Sequence, residues 1–285
     1  MRAVDLAGNV GIQATGDGFS YNFCRSISVG GSWILVPGNP SYKAEAFCVM
    51  KYEVKNNSGT PESRSNSKPW VNINQNNARS ECASLGNGSH LLTNAEWMTL
   101  ASNVANVGSN WSEGFVGGGE LARGHSDNNP SEICAADAND DNAYVEGSCS
   151  GSPDGDNFRE RRTHRLSNSE LIWDLSSNVW EWIDYNNAND RPSPYGNTFF
   201  EYTAVADTNV MDLTELIPQF AIDSNWNSNQ SIGQYYPGLD NSGGALYRGG
   251  SYFFGDASGV FNAAMELTST STGPDIGFRC AIDIP

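Results

Sequence analysis

The chain has 285 residues, 38% of them hydrophobic, so it can bury one large core or two ordinary ones. Its 33 acidic residues outnumber 16 basic ones and give a formal net charge of -17 at pH 7. So acidic a surface repels phosphate and argues against nucleic acid and anionic membranes as general partners, although solubility, a salty medium and calcium binding all remain uses for the surplus carboxylates.

The chain begins with a glycine-rich segment, residues 1–30, that we interpret as an N-terminal arm or the end of an upstream module. It contains no apolar signal core, and no later apolar run is long enough to cross a membrane. We therefore expect either a trimmed signal or release by another route, such as within a virus particle.

Strands and helices are predicted next. Apolar runs within residues 31–40 and 44–54 are typical of strands. Asn76 to Leu85 is a short helix by its apolar spacing. Thr93, followed three residues later by Glu96, forms a capping box before a second amphipathic helix.

Two long stretches rich in glycine, asparagine, aspartate and serine follow, at about 105–165 and 185–240. Loops of that length in a compact domain are usually functional or tied by metal. With no internal repeat and no linker, the sequence favours one domain, residues 31–285, that carries both stretches as insertions.

Six cysteines form an even and widely spaced set without a CxxC pair, which argues against a zinc or thioredoxin-like centre. Three disulfides formed in an oxidising compartment are expected, and reduced core thiols are the alternative. The cysteines are Cys24, Cys48, Cys82, Cys134, Cys149 and Cys280.

The most specific cluster is IWDLSSNVWEWID, residues 172–184. Its three tryptophans are expected in the core. Asp174 and Glu181 flank a turn that contains Ser177 and Asn178. Two carboxylates and turn carbonyls can form an oxygen cage for a hard cation, so these residue types indicate a calcium site.

Four motifs, SHLLTNAEW, WDLSSNVWEW, YRGGSY and GFRCA, occur in that order. With them, residues 31–285 resemble the formylglycine-generating enzyme (sulfatase-modifying factor) family. The resemblance implies an α+β fold of the C-type-lectin-like kind, loop-rich, with short antiparallel strands, two helices and structural calcium.

By position, the resemblance places a calcium ion on the side chains of Asp174 and Glu181 and on the carbonyls of Ser177 and Val179. A second calcium site would fall in the acidic loop 137–157, where no ligands are assigned.

The resemblance also pairs Cys82 with Cys280. Cys24–Cys48 and Cys134–Cys149 are then the simplest remaining pairs.

The family's oxidase needs two cysteines shortly after Gly-Gly-Ser-Tyr, because paired thiolates hold copper and form the redox centre. Those positions fall on or near Phe254 and Gly259, and no cysteine lies between Cys149 and Cys280. Related iron enzymes need a histidine-rich site, whereas the histidines here are scattered and are expected to be surface or packing residues. We therefore expect no enzyme and neither copper nor iron; the histidines are His90, His125 and His164.

One subgroup with this fold is more similar: the variable proteins of diversity-generating retroelements. Their last segment runs from Arg-Gly-Gly, through Gly-Val-Phe, to Ile-Gly-Phe-Arg, and the same order occurs here at 248–250, 259–261 and 276–279. The resemblance implies that residues 248–281 form a variable region, rewritten by adenine-directed mutagenesis, that presents altered side chains to ligands.

Alternation within residues 262–267 agrees with a display strand. Ala263, Met265 and Leu267 would face inward, with Met265 as fixed scaffold, and the residues between them would face outward. Exposed aromatic and hydroxyl side chains would supply binding area and adaptable hydrogen bonds. The expected contact residues are Tyr252, Phe253, Phe254, Asp256, Asn262, Ala264, Glu266, Thr272 and Asp275; ordinary core and loop is the alternative.

The sequence thus predicts an extracellular ligand-binding protein on a virion or cell surface. The expected partner is a surface protein or glycan of a host or neighbouring cell, with no nucleic acid and no direct membrane insertion, and homo-oligomerisation through the N-terminal region stays open. The alternatives are a divergent oxidoreductase of the formylglycine-generating type and a static calcium-dependent lectin.

Overall fold

The computed structural model describes residues 17–136, 158–187, 191–205, 226–239 and 243–285. Helices in these ranges are α1 Asp17–Ser26, α2 Gln75–Ser84 and α3 Asn94–Ala105. The strands are β1 Trp33–Val36, β2 Phe47–Met50, β3 Val54–Asn57, β4 Thr60–Ser63, β5 Ser89–Leu91, β6 Thr163–Arg165, β7 Leu171–Trp173, β8 Trp180–Asn186, β9 Tyr235–Tyr236, β10 Ala245–Gly249, β11 Gly259–Ala264, β12 Ile276–Phe278 and β13 Cys280–Asp283.

Local signals explain the helices α2 and α3. The Asn74 side chain caps α2 by accepting from the Asn77 backbone N–H. At α3 the capping box forms in both directions, because Thr93 Oγ1 accepts from the Glu96 N–H and the Glu96 carboxylate accepts from the Thr93 N–H. The third helix, α1, lies in the segment that the sequence analysis took as an arm. None of the helices in the described part of the chain has the length and apolar character needed to cross a bilayer.

A four-stranded antiparallel sheet has the order β1-β2-β13-β5. Both of its faces are buried: in β2, Phe47 and Val49 belong to one apolar cluster, whereas Cys48 and Met50 belong to another. Because successive side chains of a strand point to opposite faces, this sheet lies between the two clusters.

A five-stranded mixed sheet has the order β12-β8-β10-β11-β9. β10 pairs antiparallel with β8 and β11, whereas β12 and β9 pair parallel with their neighbours. In β11, Ala263 belongs to the first apolar cluster and Ala264 to the second. This sheet therefore also has two covered faces.

Disulfides fasten two of the helices to the four-stranded sheet. Cys24 of α1 is bonded to Cys48 of β2, and Cys82 of α2 to Cys280 of β13. Both are pairs that the sequence analysis named. Cys134 is also disulfide-bonded, and its expected partner, Cys149, lies outside the described residues.

Candidate functional site

The variable segment predicted at 248–281 begins with a rigid frame. Gly249 and Gly250 have φ angles of 92° and 90°, a backbone conformation that residues with a side chain rarely adopt. The preceding Arg248 is fully buried, and it donates from Nε to Asn94 Oδ1 at 2.9 Å and from Nη1 to the Phe261 carbonyl at 3.1 Å. Arg248 thus joins the end of β10 to α3 and β11.

Arg279 supplies the other end of the frame. It is fully buried, and its Nη2 lies 2.8 Å from Glu181 Oε1. The same side chain donates to the carbonyls of Met50 and Trp173, at 2.9 and 2.8 Å. The two arginines therefore fix both ends of the segment to the interior.

Between these ends, a row of ring contacts runs across the surface. We call Tyr252, Phe253, Phe254, Phe199 and Tyr236 the aromatic row. Successive ring centroids in that order are 4.9, 4.4, 5.4 and 4.9 Å apart. Phe253 is 45% exposed, and the other four rings are partly buried. The row is a continuous apolar strip that water reaches.

The Tyr252 end of the row is supported by a neighbouring loop. The Tyr252 ring stacks against His125 at a centroid distance of 5.9 Å and an interplanar angle of 17°. The Asn128 N–H donates to the Tyr252 carbonyl at 2.6 Å, and the Gly255 N–H donates to the Ser126 carbonyl at 2.9 Å. At the centre of the row, Phe254 packs edge-on against Trp180, 5.3 Å away.

The other exposed or partly exposed residues expected to contact a ligand are polar. Asp256 is exposed but forms an ion pair with Arg123, whose side chain is buried. Thr272 is exposed, and Glu266 and Asp275 are partly buried. Burial raises the pKa of both Glu266 and Asp275, because it penalises the charged carboxylate.

Two of the expected contact residues do not face solvent. Asn262 is 0% exposed and Ala264 is 1% exposed, so the expected alternation of inward and outward side chains in β11 is wrong. Ala264 packs in the same apolar cluster as Phe199 and Tyr236, which belong to the stretch 185–240. The face of β11 that carries Ala264, which we expected to be open, is therefore covered. Met265, expected to be fixed scaffold, is buried.

Comparison with known proteins identifies the family. The family model described as the sulfatase-modifying factor enzyme 1-like domain matches residues 23–284. The chain belongs to that family. Membership in the sulfatase-modifying factor family, with few helices and short, mostly antiparallel strands, confirms the predicted fold class; α1 is an addition to the two helices expected.

Solved structures similar to this family member have low identity and low TM-scores. The Major Tropism Determinant I1 variant is 13% identical with a TM-score of 0.43, over 83% of this chain and 50% of its own, so this chain spans about half its length. Treponema denticola variable protein 1 is 17% identical with a TM-score of 0.36, over 84% of each chain. PvdO from Pseudomonas aeruginosa is 14% identical with a TM-score of 0.31, over 85% of this chain and 82% of its own. A search of curated protein sequences finds no significant match.

The residues at the family's thiol positions do not fit a copper site. Phe254 is a ring of the aromatic row. At Gly259, a Cβ atom would lie 2.2 Å from the carbonyl carbon of Ile232, so no cysteine fits on the present backbone. Every cysteine in the described part of the chain is in a disulfide.

The turn proposed for calcium has its carboxylates already engaged. Arg162 donates to both oxygens of Asp174, each at 2.7 Å, and Arg279 holds Glu181 in the same way. Ser177 and Val179 are buried. Because positive guanidinium groups occupy the carboxylate oxygens, this arrangement does not fit calcium bound by these two side chains. The loop 137–157, expected to hold a second calcium, lies outside the described residues.

These pairs belong to a larger buried set. Glu53 Oε2 lies 3.5 Å from Lys55 Nζ, and both side chains are fully buried. Burial and then the charge of Asp174 raise the pKa of Glu53 to about 8. We call the set of three acids and three bases the buried charge cluster; its members are Glu53, Lys55, Arg162, Asp174, Glu181 and Arg279.

Sequence reasoning missed Phe199, Tyr236 and Arg123, which complete the surface. The first two lie in an irregular stretch without a strand or helix period, and Arg123 is 133 residues from its partner Asp256. Nothing local marks any of them, because each acquires its role through a contact distant in sequence.

Proposed function

We propose that this chain is a non-catalytic ligand-binding protein that presents residues 248–281 as a recognition surface outside the cell, on a virion or a cell envelope. We further propose that a retroelement diversifies this segment. The observation that carries the proposal is the aromatic row, which includes Phe254, a residue on or near one of the two positions where the resemblance expects a thiol.

The row has the physical properties of a recognition surface. Aromatic rings bring large contact areas at a small cost in side-chain entropy, since each has only two rotatable bonds. Contacts between neighbouring rings and the stacking on His125 hold them in place before a ligand arrives. A preorganised surface binds more tightly than one that must order on binding.

Polar groups within residues 248–281 can give directional contacts. Thr272 offers a hydroxyl that both donates and accepts, and Glu266 and Asp275 offer carboxyl groups. A surface that combines aromatic rings with such groups suits either a protein surface or a glycan. The partner class we propose is therefore a surface protein or glycan of a host or neighbouring cell.

Binding is tested with fluorescently labelled protein and a panel of intact bacterial cells, measured by flow cytometry. Phe253→Ser removes the most exposed ring of the row, and we expect about tenfold weaker binding to any cell that the wild type labels. The matched control is Phe115→Ser, since Phe115 is 58% exposed and is not part of the row. Equal loss in both variants would reject the row as the binding surface.

Catalysis and diversification have separate tests. Stoichiometric copper or iron in the purified protein, with thiol or substrate oxidation, would overturn the non-catalytic assignment. For diversification, the surrounding DNA should carry a near-copy of the region encoding 248–281 that differs where the copy has adenines, beside a reverse transcriptase gene. Without that copy the segment is a static surface, and the cell-binding test still stands.

A further inference from the structure

A second group of chemically active side chains lies beneath the Tyr252 end of the aromatic row. His125, Asp127 and Glu160 each place one nitrogen or oxygen within 4.8 Å of the others. His125 is 1% exposed, Glu160 is 2% exposed, and the Asp127 side chain is 9% exposed. Hydrogen bonds from the Arg123 and Gly124 N–H groups to the Arg159 carbonyl hold the two contributing segments together.

The hydrogen bond of His125 fixes which ring nitrogen is available. Nε2 lies 3.0 Å from the Glu132 carbonyl, which can only accept, so Nε2 carries the hydrogen. In the neutral ring, Nδ1 then has a lone pair, and Nδ1 faces Asp127 Oδ1 at 3.5 Å. That separation is longer than a hydrogen bond, but it is close to the roughly 3.3 Å between two ligand atoms on one tetrahedral zinc ion.

Asp127 provides an independent sign of a missing partner. Its Oδ1 accepts from the Asn129 N–H at 2.9 Å. Its Oδ2 is buried and has no hydrogen-bond partner within the described ranges. A buried carboxylate oxygen without a partner is costly, so its surroundings are suited to a cation.

We propose that His125, Asp127 and Glu160 bind one divalent transition-metal cation, with zinc as the ion of choice. One imidazole nitrogen and two carboxylate oxygens form a ligand set for zinc, whereas calcium takes oxygen ligands. The two carboxylates balance the charge of the ion. The Nε2–H bond to a backbone carbonyl is the outer contact that zinc-binding histidines usually make.

The second group with metal-sized spacing in the described chain, His90, Glu96 and Asp283, is a weaker candidate. Both ring nitrogens of His90 are hydrogen-bonded, to the Gly88 carbonyl and to the Glu96 carboxylate. Glu96 also accepts from the backbone and side chain of Thr93 in the capping box. The Glu96 carboxylate is therefore already hydrogen-bonded to the residue that caps α3.

A metal at the first group would have a structural consequence for the recognition surface. It would join the loop that carries His125 and Asp127 to the segment that carries Glu160. The same loop stacks on Tyr252 and bonds to residues 252 and 255. The metal site would stabilise one end of the aromatic row. The proposal of this site does not depend on whether the row binds a ligand.

The test uses the full chain, stripped with a chelator and dialysed, and titrated with ZnCl2 by calorimetry. We expect one zinc ion per chain at this site. Asp127→Asn keeps the side-chain shape and an acceptor for Asn129 but removes a charged ligand, so we expect at least about tenfold weaker zinc binding. Asp283→Asn is the matched control and should leave the affinity unchanged.

A crystallographic measurement on the wild type needs no variant. Anomalous diffraction at the zinc edge should place the ion between His125, Asp127 and Glu160. No bound zinc, a zinc peak elsewhere only, unchanged affinity in Asp127→Asn, or loss of affinity in Asp283→Asn instead would each overturn the proposal.

Discussion

Arg279 and Glu181 form an ion pair in which the two side chains are 0% and 1% exposed and Nη2 lies 2.8 Å from Oε1. Glu181 lies on β8 of the five-stranded sheet. Through its bond to the Met50 carbonyl, Arg279 also reaches β2 of the four-stranded sheet. The pair therefore couples the two sheets at the C-terminal end of the variable segment.

Removing the Arg279 side chain should strongly destabilise the fold. Arg279→Met leaves the Glu181 carboxylate buried without its cation, so we expect a loss of about 3–5 kcal/mol in the free energy of unfolding, measured by urea denaturation. Lys68→Met is the control, because Lys68 pairs with Glu132 at an exposed site and its loss should leave the midpoint unchanged. Similar denaturation midpoints for the two variants would contradict the conclusion that the buried Glu181 carboxylate depends on Arg279.

Whether Glu181 binds calcium can be tested by measuring stability with and without calcium. If Glu181 acts only as the partner of Arg279, Glu181→Gln should cost the same stability in metal-free buffer and in millimolar CaCl2. If Glu181 is a calcium ligand, CaCl2 would stabilise the wild type more than the variant, and the cost would grow with calcium. Calcium bound elsewhere stabilises both proteins equally and cancels in the comparison.

The interaction between His90 and Glu96 should make a pH-dependent contribution to stability. Burial lowers the pKa of His90, but the hydrogen bond and charge of Glu96, with a smaller effect of Asp283, outweigh it and raise the pKa to about 9. Because the folded pKa is above the unfolded value, the contribution is full below about pH 6.5 and is lost as pH rises through 9.

His90→Gln should therefore cost about 2 kcal/mol at pH 6, after discounting for partial exposure, and close to nothing above pH 9.5. Urea denaturation of both proteins across this range gives the difference, in which the titration of other groups cancels. A cost that does not change with pH would show that the charge of His90 is irrelevant.

Burial decides which residues within 248–281 tolerate substitution. Ala264→Lys would bury a long cation in an apolar cluster, so we expect a loss of more than about 3 kcal/mol, whereas Thr272→Lys should stay within about 0.5 kcal/mol. Thermal denaturation of the two variants tests this. A stable Ala264→Lys would show that the apolar cluster around Ala264 can accommodate a long cationic side chain.

The elements set by neighbours in sequence were predicted well. The capping box of Thr93 and Glu96 predicts the start of α3, because both partners lie within one helical turn. The strand expected at residues 262–267 is present only in its first half, where β11 ends at Ala264. The capping signal acts between residues close in sequence, so tertiary contacts do not override it here.

Features that depend on distant partners were not predicted. The spacing of Asp174 and Glu181 is compatible with calcium, but Arg279 is 98 residues from Glu181, and no local pattern reveals the pairing. The burial of Asn262 follows from a sheet with two covered faces, which alternation within one strand cannot show. His125 and Glu160 approach each other without a sequence motif.

β13 lies between β2 and β5 in the interior of its sheet, and Cys280 at its start is bonded to α2. A chain that stopped anywhere within 248–279 would lack this strand, one disulfide and, in nearly every case, Arg279. We therefore expect a chain cut short by a stop codon or frameshift within residues 248–279 to fail to fold, so the segment that carries three rings of the aromatic row is also required for the fold.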